Sequence, residues 1–276
     1  MLMKKTIFII GIAVAVLASG CTKKTKDFVY LGQLYSTFDH AGQEKIKGKV
    51  KEFKQTHFWA VEENGKVVKG KVYTTEDRKT TQLGRDMIEE YNESGTVLRS
   101  TSFDENGKIL QDVKTKADGK IMLESGYYGN DTLMANVKCK YEGNNLVEAI
   151  ASNPINDTIF MSVKYEYDPD GYIKKIQNFN YKGEPQGYSI RTRNGNGQEV
   201  KVQQYNKDGK LTLQYDYTYN AKGERTAQHQ ENFNTGVVID YTFTHEYDKM
   251  GNYTAIIFYQ DGKPFIYRAR EYKYYD

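Results

Sequence analysis

The residue with the most definite chemistry is Cys21, which follows Leu17-Ala18-Ser19-Gly20. Upstream lie Lys4, Lys5 and the apolar run 7–17. A charged start, an apolar stretch and small residues before a cut form an export leader. The run is shorter than the about 20 apolar residues of a membrane span. A thiol placed directly after the cut is available for acylation. Cys139 is the only other cysteine. With Cys21 assigned to lipid it has no partner for a disulfide. It stands between Lys138 and Lys140 with no histidine or acid beside it, which reads as an inert, buried thiol.

The four histidines, His40, His57, His229 and His245, form no HExxH or His-x-His pair, so no metal site is expected. Asp168-Pro169-Asp170-Gly171 and Asn206-Lys207-Asp208-Gly209 lack the third oxygen ligand and the closing Glu of a calcium loop. They read as turns. There is no GxSxG, and Glu89-Glu90 is adjacent in sequence rather than paired across a cleft. The expectation is a protein without cofactor and without catalysis.

The stretch 17–21 resembles the lipobox of bacterial lipoproteins. It departs at Ala18, where that family usually has Leu, Ile or Val, and Leu17 stands one position early. The resemblance implies a leader over 1–20 and a lipidated Cys21 opening a tether over 21–45; the rest, 46–276, is expected to be a β-repeat domain on the pattern set out below. Thr22 follows the cysteine, and Lys23, Lys24 and Lys26 stand where a surface-export signal would be acidic. These residues imply the outer membrane, facing the periplasm.

Composition narrows the class. The formal charge of +3 falls to about +1 once Lys4 and Lys5 leave with the leader, so no field favours nucleic acid. Tyrosine is the outlier, with 24 Tyr against 12 Phe and one Trp. Mean hydropathy is −0.74, too polar for a thick two-sided core. This suits a sheet with one apolar and one wet face.

From about residue 47 an aromatic, then Asp or Asn, two free positions and Gly recur, as in Tyr91-Asn92-x-x-Gly95, Phe103-Asp104-x-x-Gly107 and Tyr205-Asn206-x-x-Gly209. The Asx side chain starts a turn and the glycine closes it at positive φ. The steps from Gly171 through Gly183, Gly197 and Gly209 to Gly223 are 12, 14, 12 and 14 residues. That leaves strands of about eight to ten residues and no room for a crossover helix, so neighbours are antiparallel. In 211–219, Leu211, Leu213, Tyr215, Tyr217 and Tyr219 share one parity, and Thr212, Gln214, Asp216 and Thr218 the other. The expected fold is all-β: one elongated antiparallel meander of a dozen or more strands, a repeat array rather than a closed globule.

The run Tyr165-Glu166-Tyr167-Asp168-Pro169-Asp170-Gly171 and its counterparts at Tyr217–Gly223 and His245–Gly251 resemble YD-repeat (Rhs-type) sequences. The likeness covers roughly 85–276. In large members the meander coils into a shell around a cargo. This chain is far shorter and is more similar to short Bacteroidota lipoproteins with YD-like repeats.

The aromatic parity of the C-terminal strands is the one feature suited to a ligand. Tyr215, Tyr217, Tyr241, Phe243 and His245 offer flat bodies with polar tips, useful against sugars or peptides; the same rings serve equally as a thin core. The function these features imply is a lipid-anchored envelope protein acting as a structural or binding scaffold for a protein or carbohydrate partner. An envelope hydrolase on a concave sheet face and an immunity-like protein binding at a sheet edge are the rivals.

Overall fold

The computed structural model describes residues 46–81, 85–119, 121–129 and 132–276. The leader, Cys21, the tether and His40 lie outside the described residues. The described residues are all-β apart from one short helix. Strands β1 (Val50–Glu63) and β2 (Lys66–Val72) precede α1 (Thr75–Thr81). Then follow β3 (Asp86–Tyr91), β4 (Val97–Phe103), β5 (Ile109–Asp118), β6 (Ile121–Gly129) and β7 (Thr132–Glu142). The middle of the chain forms β8 (Asn145–Ser152), β9 (Ile159–Tyr167), β10 (Ile173–Asn180), β11 (Pro185–Arg193) and β12 (Glu199–Asn206). The last strands are β13 (Leu211–Tyr219), β14 (Arg225–Asn232), β15 (Val237–Tyr247), β16 (Tyr253–Gln260) and β17 (Lys263–Tyr274).

From β3 to β17 each strand pairs antiparallel with the next, the meander the spacing predicts. The expectation of an open array is corrected at the ends. One edge of β1 pairs with β17 from Val50↔Tyr274 to Trp59↔Ile266. Its other edge pairs with β3 from Glu52↔Glu90 to Gln55↔Met87 and then with β2 from Phe58↔Val72 to Glu63↔Lys66. Of the 17 strands, all except β2 therefore close into a 16-stranded barrel. β2 stands outside the ring.

Alternation assigns the two faces. Val137, Val163 and Tyr215 are at most 1 % exposed, and in a closed sheet the shielded face is the inner one. The opposite parity carries charge. Lys164 pairs with Glu148 at 3.9 Å and Lys201 with Asp216 at 3.2 Å, their side chains half exposed. Lipid-embedded barrels carry a broad apolar band at these mid-strand positions. The outer wall of this barrel carries charge at those positions instead.

Turn chemistry sets the rims. At Asn206 the side-chain Oδ1 accepts from the backbone N–H of Asp208 and Lys210 at 3.0 and 2.9 Å. The Gly209 N–H returns to the Asn206 carbonyl at 3.1 Å. The same pattern holds at Asn180, Asn194 and Asn220. The tyrosine at the strand end does further work. The hydroxyls of Tyr141, Tyr167 and Tyr219 donate to the carbonyls of Met122, Leu146 and Glu199 at 2.9, 2.9 and 2.7 Å. Tyr272 repeats this on Tyr253. Each stitches one hairpin to the hairpin before it, giving the unusual tyrosine count a structural cause.

Two glycines serve different needs. Gly209 has φ +78° with open space around it. Gly187, outside the motif, has φ +153°, and an added Cβ would sit 2.5 Å from the Tyr205 carbonyl. Gly209→Val should cost about 1 kcal/mol or more through φ strain alone. Gly187→Ala should cost more than Gly209→Ala, because backbone has to move as well. Urea midpoints of the two alanine variants check this, and equal costs would show that the close approach is immaterial.

Candidate functional site

Three places bring polar chemistry together: a buried clasp at the barrel seam, an inner arginine–glutamate pair, and a cleft on the outer wall.

The clasp centres on His57 of β1, which is fully buried. Its neighbours come from β17, from the start of β3 and from α1. Arg268 Nε lies 2.9 Å from His57 Nε2. A guanidinium only donates, so Nε2 is an acceptor and the ring proton sits on Nδ1. That proton is given to Asp86 Oδ1 at 2.9 Å, and the same oxygen accepts from the His57 backbone N–H at 2.9 Å. Arg78 of α1 adds a bond to Asp86 Oδ1 at 2.8 Å and one to the Tyr73 carbonyl at 3.1 Å. Tyr73 is buried among Tyr241, Phe243, Phe258 and Ile266, so α1 is pinned over the inner face. Burial pushes His57 down to about 4, with Arg268 and Arg78 adding to the shift and the bond to Asp86 opposing it. Burial pushes the Asp86 carboxyl up, but the His57 bonds and the charge of Arg78 outweigh it and hold it below the usual range. An aspartate–histidine pair suggests a base, yet both ring nitrogens are engaged. The arrangement fastens β1, β3, β17 and α1 together.

On the far side of the interior, Glu199 of β12 is 1 % exposed. Arg191 of β11 holds it at 2.7 Å. Arg193 stacks on Tyr172 at 4.7 Å and Arg225 on Tyr217 at 4.1 Å.

The sequence-selected residues all lie on the inner parity. Tyr215, Tyr217, Tyr241 and Phe243 are buried in two separate clusters. Tyr215 stacks along its strand on Tyr217, while Phe243 meets Phe258 edge-on. His245 is half-buried with its ring 4.5 Å from that of Tyr253. The structure thus divides the five between β13 and β15, with β14 between them, rather than joining them in one open groove. Cys139 is half-buried, and burial pushes its thiol up to about 12. Among the described residues no three metal-binding side chains converge.

The outer cleft was not selected from the sequence. The β1–β2 hairpin stands beside the outer face of β15–β17 and leaves a space of about 840 Å³. Its floor is Ile257, Tyr259 and Tyr267, and its rim carries Glu63, Lys66, Lys69 and Glu246. Tyr267 donates to Glu246 at 3.1 Å, and Lys69 lies over the rings of Phe58 and Tyr267 at 5.5 and 5.7 Å. A signal was available: Ala255-Ile256-Ile257-Phe258 is apolar on both parities, unlike β13 and β15. That marks a strand covered on its outer face as well.

No protein-family model matches the chain, and no curated protein matches it. Among solved structures, a porin-like protein from Bacteroides uniformis aligns with a TM-score of 0.37 at 9% identity, covering 83% of this chain and 98% of that one. A porin-like protein from Bacteroides vulgatus gives 0.41 at 9%, covering 66% and 95%. The TcdB2–TccC3–TEV structure gives 0.32 at 13%, covering 76% of this chain and 11% of that chain.

The clasp fixes a pH dependence. A histidine held neutral in the fold takes a proton more readily when unfolded. Its stabilising effect is therefore complete above pH about 6.5 and is lost as pH falls from there toward about 4. The expected slope is up to about 1.4 kcal/mol per pH unit. Urea midpoints between pH 7 and 5 check this: His57→Gln should flatten the slope there, and an unchanged slope would clear His57 of the effect.

Proposed function

We propose that the chain is a lipid-anchored cell-envelope protein whose barrel is a non-catalytic binding scaffold. The observation that carries the binding role is the outer cleft, where an aromatic floor under the β1–β2 hairpin interrupts a charged wall. Its volume suits a ligand or a short segment of a partner, and two lysines oppose two carboxylates on its rim. The reading without catalysis is supported at the clasp, where the buried histidine has both nitrogens engaged. The leader and Cys21 support export and acylation, and a charged wall needs such an anchor to stay at a membrane. The chain is proposed to sit on the outer membrane facing the periplasm, as a short relative of the YD-repeat lipoproteins.

Two measurements test this. Intact mass of the protein from its own membranes should show acyl chains that Cys21→Ala removes, with the variant leaving the acylated pool; an unacylated wild type ends the anchor reading. A photo-crosslinking residue at Tyr259 should give discrete adducts in native envelopes, at several-fold higher yield than one at Lys201 on the charged wall. Equal yields would mean that the cleft is not the binding surface.

A further inference from the structure

The two rims of the barrel differ. In a meander, alternate turns lie at opposite ends. One end holds the turns after β3, β5, β7, β9, β11, β13 and β15. There β1 also begins, where the Lys47 N–H donates to Asn252 Oδ1 at 2.7 Å. The other end holds the turns after β4, β6, β8, β10, β12, β14 and β16. Most of the large apolar side chains exposed to solvent gather at this second end. Ile155 is 92% exposed, Tyr181 63%, Met134 59%, Val238 51%, Phe160 43% and Phe233 39%. They sit at or beside the turns after β6, β8, β10 and β14, spread along the rim on separate turns rather than in one flat patch. At the first end the comparable residues are fewer and less exposed, Leu98, Leu123, Tyr247 and Met250, none above 44%, and the Tyr247 hydroxyl is bonded to Glu224.

We infer that this apolar rim is a second membrane contact: the barrel stands end-on, with the turns after β6, β8, β10 and β14 dipping into the bilayer that holds its lipid. The inference rests on the anchor reading for Cys21. Knobs carried on separate turns offer little shape complementarity to a protein but sink readily into lipid. Tyr and Phe are suited to the interfacial region, and Lys182, stacked over Tyr181 at 5.5 Å, keeps its charge in water while its stem covers the ring. The chain outside the described region permits this pose. The described barrel begins at the polar rim, and the 24 residues 22–45 reach up to about 80 Å when extended. A strand of nine residues such as β9 spans only about 30 Å. The tether can therefore run the length of the barrel to a membrane at the opposite end. Tethering also holds the rim near lipid at high effective concentration, so weak insertion suffices. The charged outer wall is consistent with standing on the membrane instead of crossing it.

The test uses the full lipidated chain in vesicles of phosphatidylethanolamine and phosphatidylglycerol. A small fluorophore is attached at Ile155→Cys or, at the opposite rim, at Met250→Cys. Both variants also carry Cys139→Ala, so that the probe has a single site. Spin-labelled lipids should quench the Ile155 probe at least threefold more than the Met250 probe. Phe160→Ser with Phe233→Ser should abolish that excess while the protein still sediments with vesicles. Equal quenching at both rims, or none at either on acylated protein, overturns the proposal. Intact mass reads the anchor separately. Should Cys21 prove unacylated, selective quenching at saturating lipid still supports the rim contact, and its absence overturns it. Quenching lost when envelope extract is added, with new crosslinks at Ile155, would show a protein partner on the rim and overturn the lipid assignment.

Discussion

The structure depends on one long-range pairing, that of β1 with β17. Every other strand pair in the ring except β1–β3 joins neighbours in sequence, and its closure cost is that of a short turn. The β1–β17 register brings Val50 to Tyr274, almost the whole described chain apart. Without it the sheet would have two raw edges, each a template for association. Its reinforcements are concentrated there for that reason. Arg270 Nε donates to Gln55 Oε1 at 3.1 Å and Arg268 to His57. The Tyr275 N–H bonds the Lys49 carbonyl, and its hydroxyl reaches the Tyr91 carbonyl across the seam. Asn252 holds Lys47 from both sides of its amide. A polar seam gives a single register where an apolar one would slide.

The turns and the two faces were legible in sequence because they are local. An Asx side chain bonding two and four residues on, and a glycine at positive φ, need nothing from the rest of the chain. The inner parity of β13 and β15 follows from period two alone. Closure was not legible, because nothing in the repeat from Tyr165 to Gly251 differs between an open and a closed meander. The deciding residues lie before the repeats, in 50–59, where Phe53, Gln55, His57 and Trp59 share the inner parity with two polar members. Mixed polarity on an inner face signals a partner with charge, here Arg268 and Arg270, but does not name it. The helix α1 was missed as well. Its seven residues, Thr75–Thr81, carry no apolar periodicity, and it is placed by Asp77, which accepts from the Thr74 backbone, the Thr74 hydroxyl and Trp59.

The tyrosine count illustrates how composition can be read correctly in kind and incompletely in role. A Tyr-rich inner face was expected to be either core or binding surface. The strand-end tyrosines are neither alone. Their rings pack inward while their hydroxyls satisfy carbonyls near the start of the preceding strand, at positions where a bulge has shifted the ladder. Phe in those places would keep the apolar area and leave a carbonyl near the rim to compete for water. Tyr141, Tyr167 and Tyr219, which open turns at one rim, use the hydroxyl in this way, whereas Phe103 and Phe179, which open turns at the other, have none to use. The stitching hydroxyls belong to one end of the barrel.

That polarity of the barrel also bears on function. One rim is stitched, polar and carries the seam's ends. The other carries α1, the overhanging β1–β2 hairpin and the exposed apolar turns. A symmetric container would have no reason to differ in this way, and a lipid-spanning barrel would place its apolar residues around its girth instead of at one rim. A tethered barrel standing on a membrane accounts for both the charged girth and the apolar end. The outer cleft lies under the hairpin along the wall, between Glu246 near the stitched rim and Tyr259 on β16, so that on the proposed pose a ligand there is held on the barrel's side rather than at the end that meets lipid.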